Sequence, residues 1–291
     1  MKRIFAFIMI FLMLFNSAAY ANEKTAAFLN SVNNEDIKTG SIGGEWLVIA
    51  KARGSNDTDF ETYYNNLCSE LTAKNGDIDR KYTTYSRIII ALTAIGKNPE
   101  NAAGYNLLEK LEDFDKVTSQ GINGAIFAVI ATKCGSYKNS QCENYLSYIL
   151  SKQNTDGSFS LSGEGDIDVT AMALQALSFY SYRENVKPAI NKALVWLEDK
   201  TPESSESYSQ LLVAYTALKN FVSRDKVNSA YIGLMEFGVD GGFCHLMGEG
   251  FNQMASEQAS YAIAAYERYN EGKTSLYDIN NRKVTILNYV W

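Results

Sequence analysis

Two aspartates that could carry out acid–base chemistry, Asp166 and Asp168, stand just before a long apolar run of the chain. A carboxylic acid that its surroundings keep protonated can donate a proton to a weakly basic substrate. An aspartate at the start of a helix has a simpler role, because its oxygen accepts hydrogen bonds from the free N–H groups there and stabilises the helix by about 0.5 to 2 kcal/mol. We expect helix caps here and keep Asp168, with Asp166 beside it, as the candidate general acid.

The single histidine of the chain, His245, follows Cys244 and lies five residues after Asp240. A zinc site built from Asp, Cys and His needs its ligands spread around one tetrahedral ion, and two adjacent residues rarely ligate the same zinc. The sequence therefore predicts no metal site and no cofactor. His245 is expected in a loop, either touching a ligand or without a special role.

The elements that position these residues are helices of two kinds. One kind has a single apolar stripe, as in Phe60, Tyr63, Tyr64, Leu67 and Leu71, whose spacing places them on one helix face. The other kind is apolar almost all round, and such a helix must be covered on every side. Six segments of the second kind begin near residues 45, 83, 122, 168, 207 and 256.

The six apolar segments recur roughly every 40 to 49 residues, a period typical of helical repeats. Pairs of an outer and an inner helix predict an all-α fold, and six inner helices suffice to close a ring, an α6/α6 toroid. A linear solenoid of helix pairs is the alternative. In the ring, every loop from an outer to an inner helix lies at the same end, where the inner-helix N-termini and their free N–H groups form one mouth.

Polar and aromatic residues near the starts of the inner helices are candidates for binding a ligand at this mouth. Aromatic walls with a few polar groups suit a flat or lipophilic small molecule. Alternatively, the rings fill the core and the polar groups bond to loop backbone, and periodicity alone does not decide which side of such a helix faces the axis. The candidates are Trp46, Tyr85, Arg87, Asn123, Tyr208, Gln210, His245, Gln258 and Tyr261.

The clearest repeat contains Gln153, Gly157 and Phe159, which resemble the Q-x-x-x-G-x-W signature of terpenoid cyclases and protein prenyltransferases. The chain is similar to that toroid superfamily, and within it to exported bacterial members that resemble the α domain of cobalamin carriers. The resemblance implies an α6/α6 toroid and adds a corrinoid to the ligands to be considered. It also aligns Asp168 with the proton donor of the cyclase motif D-x-D-D, in which Val169 replaces the third aspartate.

Both ends of the chain differ from the repeats. Residues 1–21 combine two basic residues, an apolar run shorter than the ~20 residues that span a membrane, and a small-residue end, which predicts a signal peptide and a secreted or cell-surface protein. Residues 22–270 are expected to form the toroid and 271–291 a short extended strap across it. The formal net charge of -6 argues against nucleic acid as a partner, and no membrane span is expected.

Four cysteines, Cys68, Cys134, Cys142 and Cys244, lie in the part expected to be exported. Disulfides are the default expectation in an oxidising compartment. Cys134 and Cys142 flank a short polar loop and form the best local pair, although four cysteines allow three connectivities.

Three functions follow from these observations. The leading hypothesis is an exported binding module that holds a small hydrophobic or cofactor-like molecule, or a partner peptide, at the mouth, because the scaffold is intact and the catalytic motifs are incomplete. The second is a cyclase-like or prenyltransferase-like enzyme with Asp168 as its general acid. The third is a structural cell-surface protein that binds other proteins.

Overall fold

The computed structural model describes residues 24–40, 42–54 and 59–279. Most of them are helical, and one pair of short strands, β1 (Gly238–Val239) and β2 (Gly242–Phe243), forms a hairpin. The inner helices are α2 (Glu45–Gly54), α4 (Tyr82–Ala94), α6 (Ile122–Cys134), α8 (Ile167–Ser178), α10 (Ser205–Ala217) and α12 (Gln253–Asn270). The outer helices are α1 (24–31), α3 (Glu61–Ala73), α5 (Phe114–Thr118), α7 (Cys142–Ser151), α9 (Lys187–Trp196) and α11 (Arg224–Met235).

Ring closure is the main feature of the fold. Along the chain each inner helix packs against the next, and the last inner helix, α12, packs against the first, α2. A linear solenoid would leave these two helices at opposite ends. The contact therefore excludes the solenoid and confirms the predicted α6/α6 toroid.

The two kinds of helix take the layers that their residue patterns predict. In α6 nearly every side chain from Ile122 to Cys134 is buried, as expected for a helix with neighbours all round. In the outer helix α7 only one stripe is buried, which includes Tyr145, Leu146 and Ile149. The core therefore lies both inside the ring and between its two layers.

Aromatic side chains occupy the interior of the ring. Trp46 of α2 packs against Phe127 of α6 and against Tyr261 of α12, with ring centroids 5.6 Å apart in each pair. Helices α2 and α6 are not neighbours, so the contact between Trp46 and Phe127 spans the interior. Trp46 lies in the first turn of its helix and is partly exposed, and it thus forms a floor for the mouth.

Two buried glutamates hold the loop before α2 where the ring closes. Glu45 accepts hydrogen bonds from the Gly40 N–H at 3.0 Å and from Arg87 Nε at 3.2 Å. Glu257 of α12 accepts one from the Gly43 N–H at 2.7 Å. Burial raises the pKa of Glu45, and the Arg87 guanidinium opposes that rise. A buried carboxylate needs such a partner, because desolvation alone would make its charge costly.

The repeat signature has a structural role. Gln153 Nε2 donates to the carbonyls of Gly157 at 2.9 Å and Ala189 at 2.8 Å, which joins the loop after α7 to the outer helix α9. Gly157 has a φ of +95°, and a Cβ there would lie 2.6 Å from the Lys192 carbonyl oxygen. Phe159 is fully buried. These positions thus fix the path of the loop toward α8.

The segment 271–279 folds back across the inner-helix C-terminal end of the ring. Arg53 Nε, at the end of α2, donates to the carbonyl of Leu276 at 2.9 Å, and the Ile279 N–H donates to the carbonyl of Cys134 at 2.9 Å. Leu276 and Ile279 are both buried. The segment therefore forms a strap that connects α12 to α2 and α6.

The two predicted terminal segments are not fully covered by the described residues. The predicted signal peptide, 1–21, and positions 280–291 of the predicted strap lie outside the described residues. No helix in the described ranges is long and apolar enough to cross a membrane.

The disulfide predicted between Cys134 and Cys142 is not present, and all four cysteines, which the structure describes, are free thiols. Cys134 Sγ donates to the carbonyl of Ala131 in its own helix at 3.1 Å, whereas Cys142 Sγ lies 3.1 Å from the Tyr180 hydroxyl. The two thiols thus contact different neighbours. Burial raises the pKa of Cys134 to about 12, which disfavours the reactive thiolate.

Replacing Arg53 by alanine should lower the free energy of unfolding by about 2 kcal/mol, because the carbonyls of Ser275, Leu276 and Asp278 lose a charged hydrogen-bond donor. Denaturant unfolding followed by circular dichroism measures the change. The control is Arg80→Ala, at an exposed arginine, which should change stability by less than ~0.5 kcal/mol. Equal stability of the two variants would contradict the role given to Arg53.

Candidate functional site

The two aspartates at the mouth have different roles. Asp166 is the N-cap of α8, since its Oδ1 accepts the Val169 N–H at 2.8 Å and its carbonyl accepts the Thr170 N–H at 3.0 Å. Capping satisfies a helix N–H that would otherwise lack a partner. Asp166 therefore has the structural role that the sequence suggested as the simpler interpretation.

Asp168 lies within the first turn of α8 and is mostly buried. Burial raises the pKa of its carboxyl group, a hydrogen bond from Ser207 opposes the rise, and the nearby Asp166 and Glu206 add to it. Its Oδ1 is buried and has no hydrogen-bond partner among the described residues. A carboxyl group in this setting favours its neutral, proton-bearing form more than an aspartate in water does.

A second acidic group, Glu206 in the first turn of α10, lies in electrostatic range of Asp168. His245 Nδ1 is 2.8 Å from Glu206 Oε2, and the Ser205 hydroxyl donates to the same oxygen at 3.0 Å. Glu206 Oε1 is buried and, in the described part of the chain, has no partner. The side chain of Glu206 is 6% exposed and that of His245 is 42% exposed. A buried carboxyl group is thus paired with an imidazole that faces solvent.

The loop 244–252, between the β1–β2 hairpin and α12, brings His245 to this position. The His245 carbonyl accepts the Ser205 N–H at 3.1 Å, and Leu246 forms an antiparallel bridge with Ser204. The hydrogen bond to Glu206 raises the pKa of His245. The loop therefore places an ionisable imidazole at the edge of the mouth.

Four of the predicted binding residues, Trp46, Gln210, Gln258 and Tyr261, form one contiguous group inside the ring. Gln210 Nε2 donates to Gln258 Oε1 at 2.8 Å and to the Tyr261 hydroxyl at 2.6 Å, and Tyr261 packs on Trp46. Asp168 lies close enough to raise the pKa of Tyr261, although burial is the main cause of that rise. The group therefore adjoins the acidic residues of the mouth.

Two other predicted binding residues make their contacts elsewhere. The Tyr85 hydroxyl donates to Asp77 Oδ1 in the loop before α4 at 3.0 Å. Tyr208 packs on Phe237, just after the outer helix α11, with ring centroids 5.8 Å apart. Neither residue joins the group around Trp46, and ligand binding by them stays a prediction.

Arg87 and Asn123 lie on the neighbouring part of the mouth. Arg87 pairs with Glu45 and lines a recess of about 450 Å³ beside the start of α4, together with Glu70 and Gln120. Asn123, in the first turn of α6, has a buried Oδ1 without a partner in the described ranges. A role in ligand binding stays a prediction for both residues.

Sequence reasoning missed Glu206. Its partner His245 is 39 residues further along the chain, so no local spacing connects them. The available signal was a glutamate in the first turn of an inner helix that is otherwise largely apolar. Such a side chain is buried only where another polar group meets it.

The mouth combines three chemical features: the Asp168 carboxyl group, whose pKa is raised by burial, the Glu206–His245 pair and the aromatic floor around Trp46. It can donate a proton or hydrogen bond, accept hydrogen bonds at carboxyl oxygens and contact a flat apolar surface. Within the described residues, no three His, Cys, Asp or Glu side chains are arranged to hold a metal ion.

Comparison with known proteins supports the fold. No protein-family model and no curated protein sequence matches the chain. Solved structures that match include an unsaturated glucuronyl hydrolase of Streptococcus agalactiae and a mutant of that enzyme, each 8% identical to this chain. Their TM-scores are 0.55 and 0.54, and the matches cover 91% and 88% of this chain and 93% and 90% of theirs. At this identity the likeness shows a shared toroid fold alone, and the similarity to cobalamin carriers stays a prediction.

Asp168→Asn should stabilise the protein at neutral pH, because it removes a carboxyl group whose charged form is disfavoured by burial. A raised pKa in the folded state means that this group's favourable contribution is present below its ordinary pKa of 3.8 and is lost as the pH rises through the folded-state value. The melting temperature of the variant should therefore exceed that of the wild type at neutral pH, and the gap should close on acidification. Glu164→Gln, at an exposed carboxyl group, is the control. A gap that does not depend on pH would contradict the prediction.

Asp166→Ala should instead destabilise the protein by about 1 kcal/mol, because the Val169 N–H loses its cap. Asp166→Asn keeps an oxygen acceptor and should change the stability by a few tenths of a kcal/mol at most. Denaturant unfolding compares the two variants. Equal losses in both would mean that the charge of Asp166, rather than its capping bond, stabilises α8.

Proposed function

We propose that the chain binds a small neutral or cationic molecule with a flat apolar face at the N-terminal mouth of the ring. The observation that carries the proposal is the pair Asp168 and Glu206, on neighbouring inner helices, each with one buried oxygen that lacks a partner among the described residues. An unsatisfied buried polar group costs about 1 to 3 kcal/mol. A ligand that donates hydrogen bonds to these carboxyl groups would remove that cost.

The floor of the mouth supports a ligand with an apolar face. Trp46 is partly exposed and is held in place by Phe127 and Tyr261. Because these rings fill the interior at this level, a ligand would lie on the floor rather than pass through the ring. Aromatic surface beside a few convergent polar groups is typical of small-molecule sites.

The charge of the loops at the mouth limits which class of ligand can bind there. The three loops at 160–166, 199–204 and 236–252 contain seven acidic residues and one lysine. This side of the mouth, around Asp168 and Glu206, repels an anion and attracts a cation. A uronate, the kind of group named for the matched hydrolase, is therefore disfavoured at this mouth, and a neutral or cationic molecule is favoured.

Ligand capture tests the proposal. Purified protein is incubated with cell extract and the retained small molecules are identified by mass spectrometry, while cobalamin, the probe suggested by the resemblance to its carriers, is titrated with visible absorbance as the readout. For a captured ligand, Asp168→Ala and Glu206→Ala should each weaken binding at least ~10-fold, equivalent to about 1.4 kcal/mol, and binding should change the fluorescence of Trp46.

The control for these variants is Glu164→Gln, at an exposed carboxyl group on the same rim, which should bind as the wild type does. Undiminished binding by both alanine variants would contradict the proposed site, and so would a Trp46 environment that does not respond to the ligand.

Acid catalysis by Asp168 is a second candidate function, favoured by its raised pKa and by a hydrolase among the matching toroids. A protonated Asp168 could donate to a glycosidic oxygen or to a polarised double bond, with Glu206 as the second carboxyl group. The test is incubation with neutral aryl glycosides and with an unsaturated glucuronyl disaccharide, followed by product analysis. Turnover that disappears in Asp168→Asn supports catalysis, and turnover that is unchanged in this variant rules out the proposed acid.

A further inference from the structure

The opposite end of the ring contains a separate cleft of about 790 Å³. It lies where α8, α10 and α12 end, and the strap borders it through Lys273 and Asp278. Its volume is in the range of ligand sites, roughly 300 to 1,000 Å³. No residue of the mouth lines it, so it is independent of the site proposed above.

The charge of this cleft is opposite to that of the mouth. Lys219, Arg224 and Lys273 line it together with one acidic residue, Asp278, although the whole chain has a net charge of -6. Lys273 forms an ion pair with Glu271 at 2.5 Å, so Lys219 and Arg224 are the cations left for a ligand. Lys219 is exposed and has no ion pair among the described residues. The cleft therefore offers cationic groups to an anion.

Arg224 is held in position rather than free in solvent. Its Nη2 donates to Asn270 Oδ1 at 2.9 Å, and its guanidinium lies 5.8 Å from the centre of the Tyr269 ring. Both neighbours line the same cleft. One face of the site is thus organised before any ligand arrives, which reduces the entropy lost on binding.

The rest of the lining suits hydroxyl groups. Side chains with hydroxyl groups, Ser178, Thr216, Thr274 and Ser275, line it. Asn220 and Asn270 add amide groups, and the partly buried rings of Phe179 and Tyr269 offer apolar surface for the C–H face of a sugar ring. A bare inorganic anion would use the cations and leave these groups without a role.

We propose that this cleft binds a polyhydroxylated anion, either a sugar acid or a sugar phosphate. The anionic group meets Lys219 and Arg224, and the hydroxyl groups bond to the amides of Asn220 and Asn270. Only a ligand that has both kinds of group satisfies both parts of the lining.

The test is a titration of the full chain, followed by amide NMR, with four probes: glucuronate, glucose 6-phosphate, glucose and inorganic phosphate. We expect shifts at Lys219, Asn220 and Asn270, and at least ~10-fold tighter binding of one or both of the first two probes than of the last two. The stronger of the first two probes tells a sugar acid from a sugar phosphate. Equal binding of inorganic phosphate, equal binding of glucose, or no binding of any probe would each overturn the proposal.

Variants locate the binding. Lys219→Gln and the double variant with Arg224→Gln should weaken binding of the better probe, the double variant by at least ~10-fold. Lys192→Gln removes the same charge at an exposed position of α9 and should bind as the wild type does. Asp168→Asn should leave this binding intact, which separates it from events at the mouth. Equal loss in Lys192→Gln, or none in the double variant, would show a general charge effect and overturn the assignment.

Discussion

Six helices that are apolar on nearly every side are stable in water only when other helices surround them, and the rest of the structure depends on this requirement. The chain meets it by packing α12 against α2, which turns a row of helix pairs into a ring. Closure also explains the polar contacts of Glu45 and Glu257, which fix the loop where the first and last inner helices meet. Because the flanks of the inner helices and the ring interior are covered, their polar side chains collect at the two ends.

The loops around Asp168 and Glu206 are acidic and the cleft at the other end is basic, and part of this difference follows from the helices themselves. Acidic residues stabilise the N-terminal ends of helices, and basic residues stabilise their C-terminal ends. Asp166 at the mouth is accounted for in this way, since it uses its carboxyl oxygen as a cap. Helix stabilisation does not explain Asp168 and Glu206, because it does not require a carboxyl oxygen that is buried without a hydrogen-bond partner. On this difference from ordinary helix capping we base the proposal of a ligand site at the mouth.

The sequence predicted the architecture well because a helix that is apolar all round, such as α6, leaves little choice about its surroundings. The same property hid the details of the site. An all-apolar helix does not show which side faces the axis, so Tyr208, which packs on Phe237, could not be told from Gln210, which joins the group at the mouth. Contacts between distant segments, such as Glu206 with His245, leave no local pattern. The disulfide was expected from compartment and spacing, neither of which reports that Cys134 and Cys142 contact different neighbours.

The proposed site depends on the desolvated carboxyl group of Asp168, which the closed ring places at its mouth. Carbon-13 NMR titration of the Asp168 carboxyl group, assigned with the Asp168→Asn variant, measures its state directly. We predict a midpoint above the ordinary value of 3.8 and a change in the Asp168 signal when a captured ligand is added. A midpoint at or below 3.8 in the folded protein, together with an Asp168 signal that does not change when the ligand is added, would contradict the proposed site.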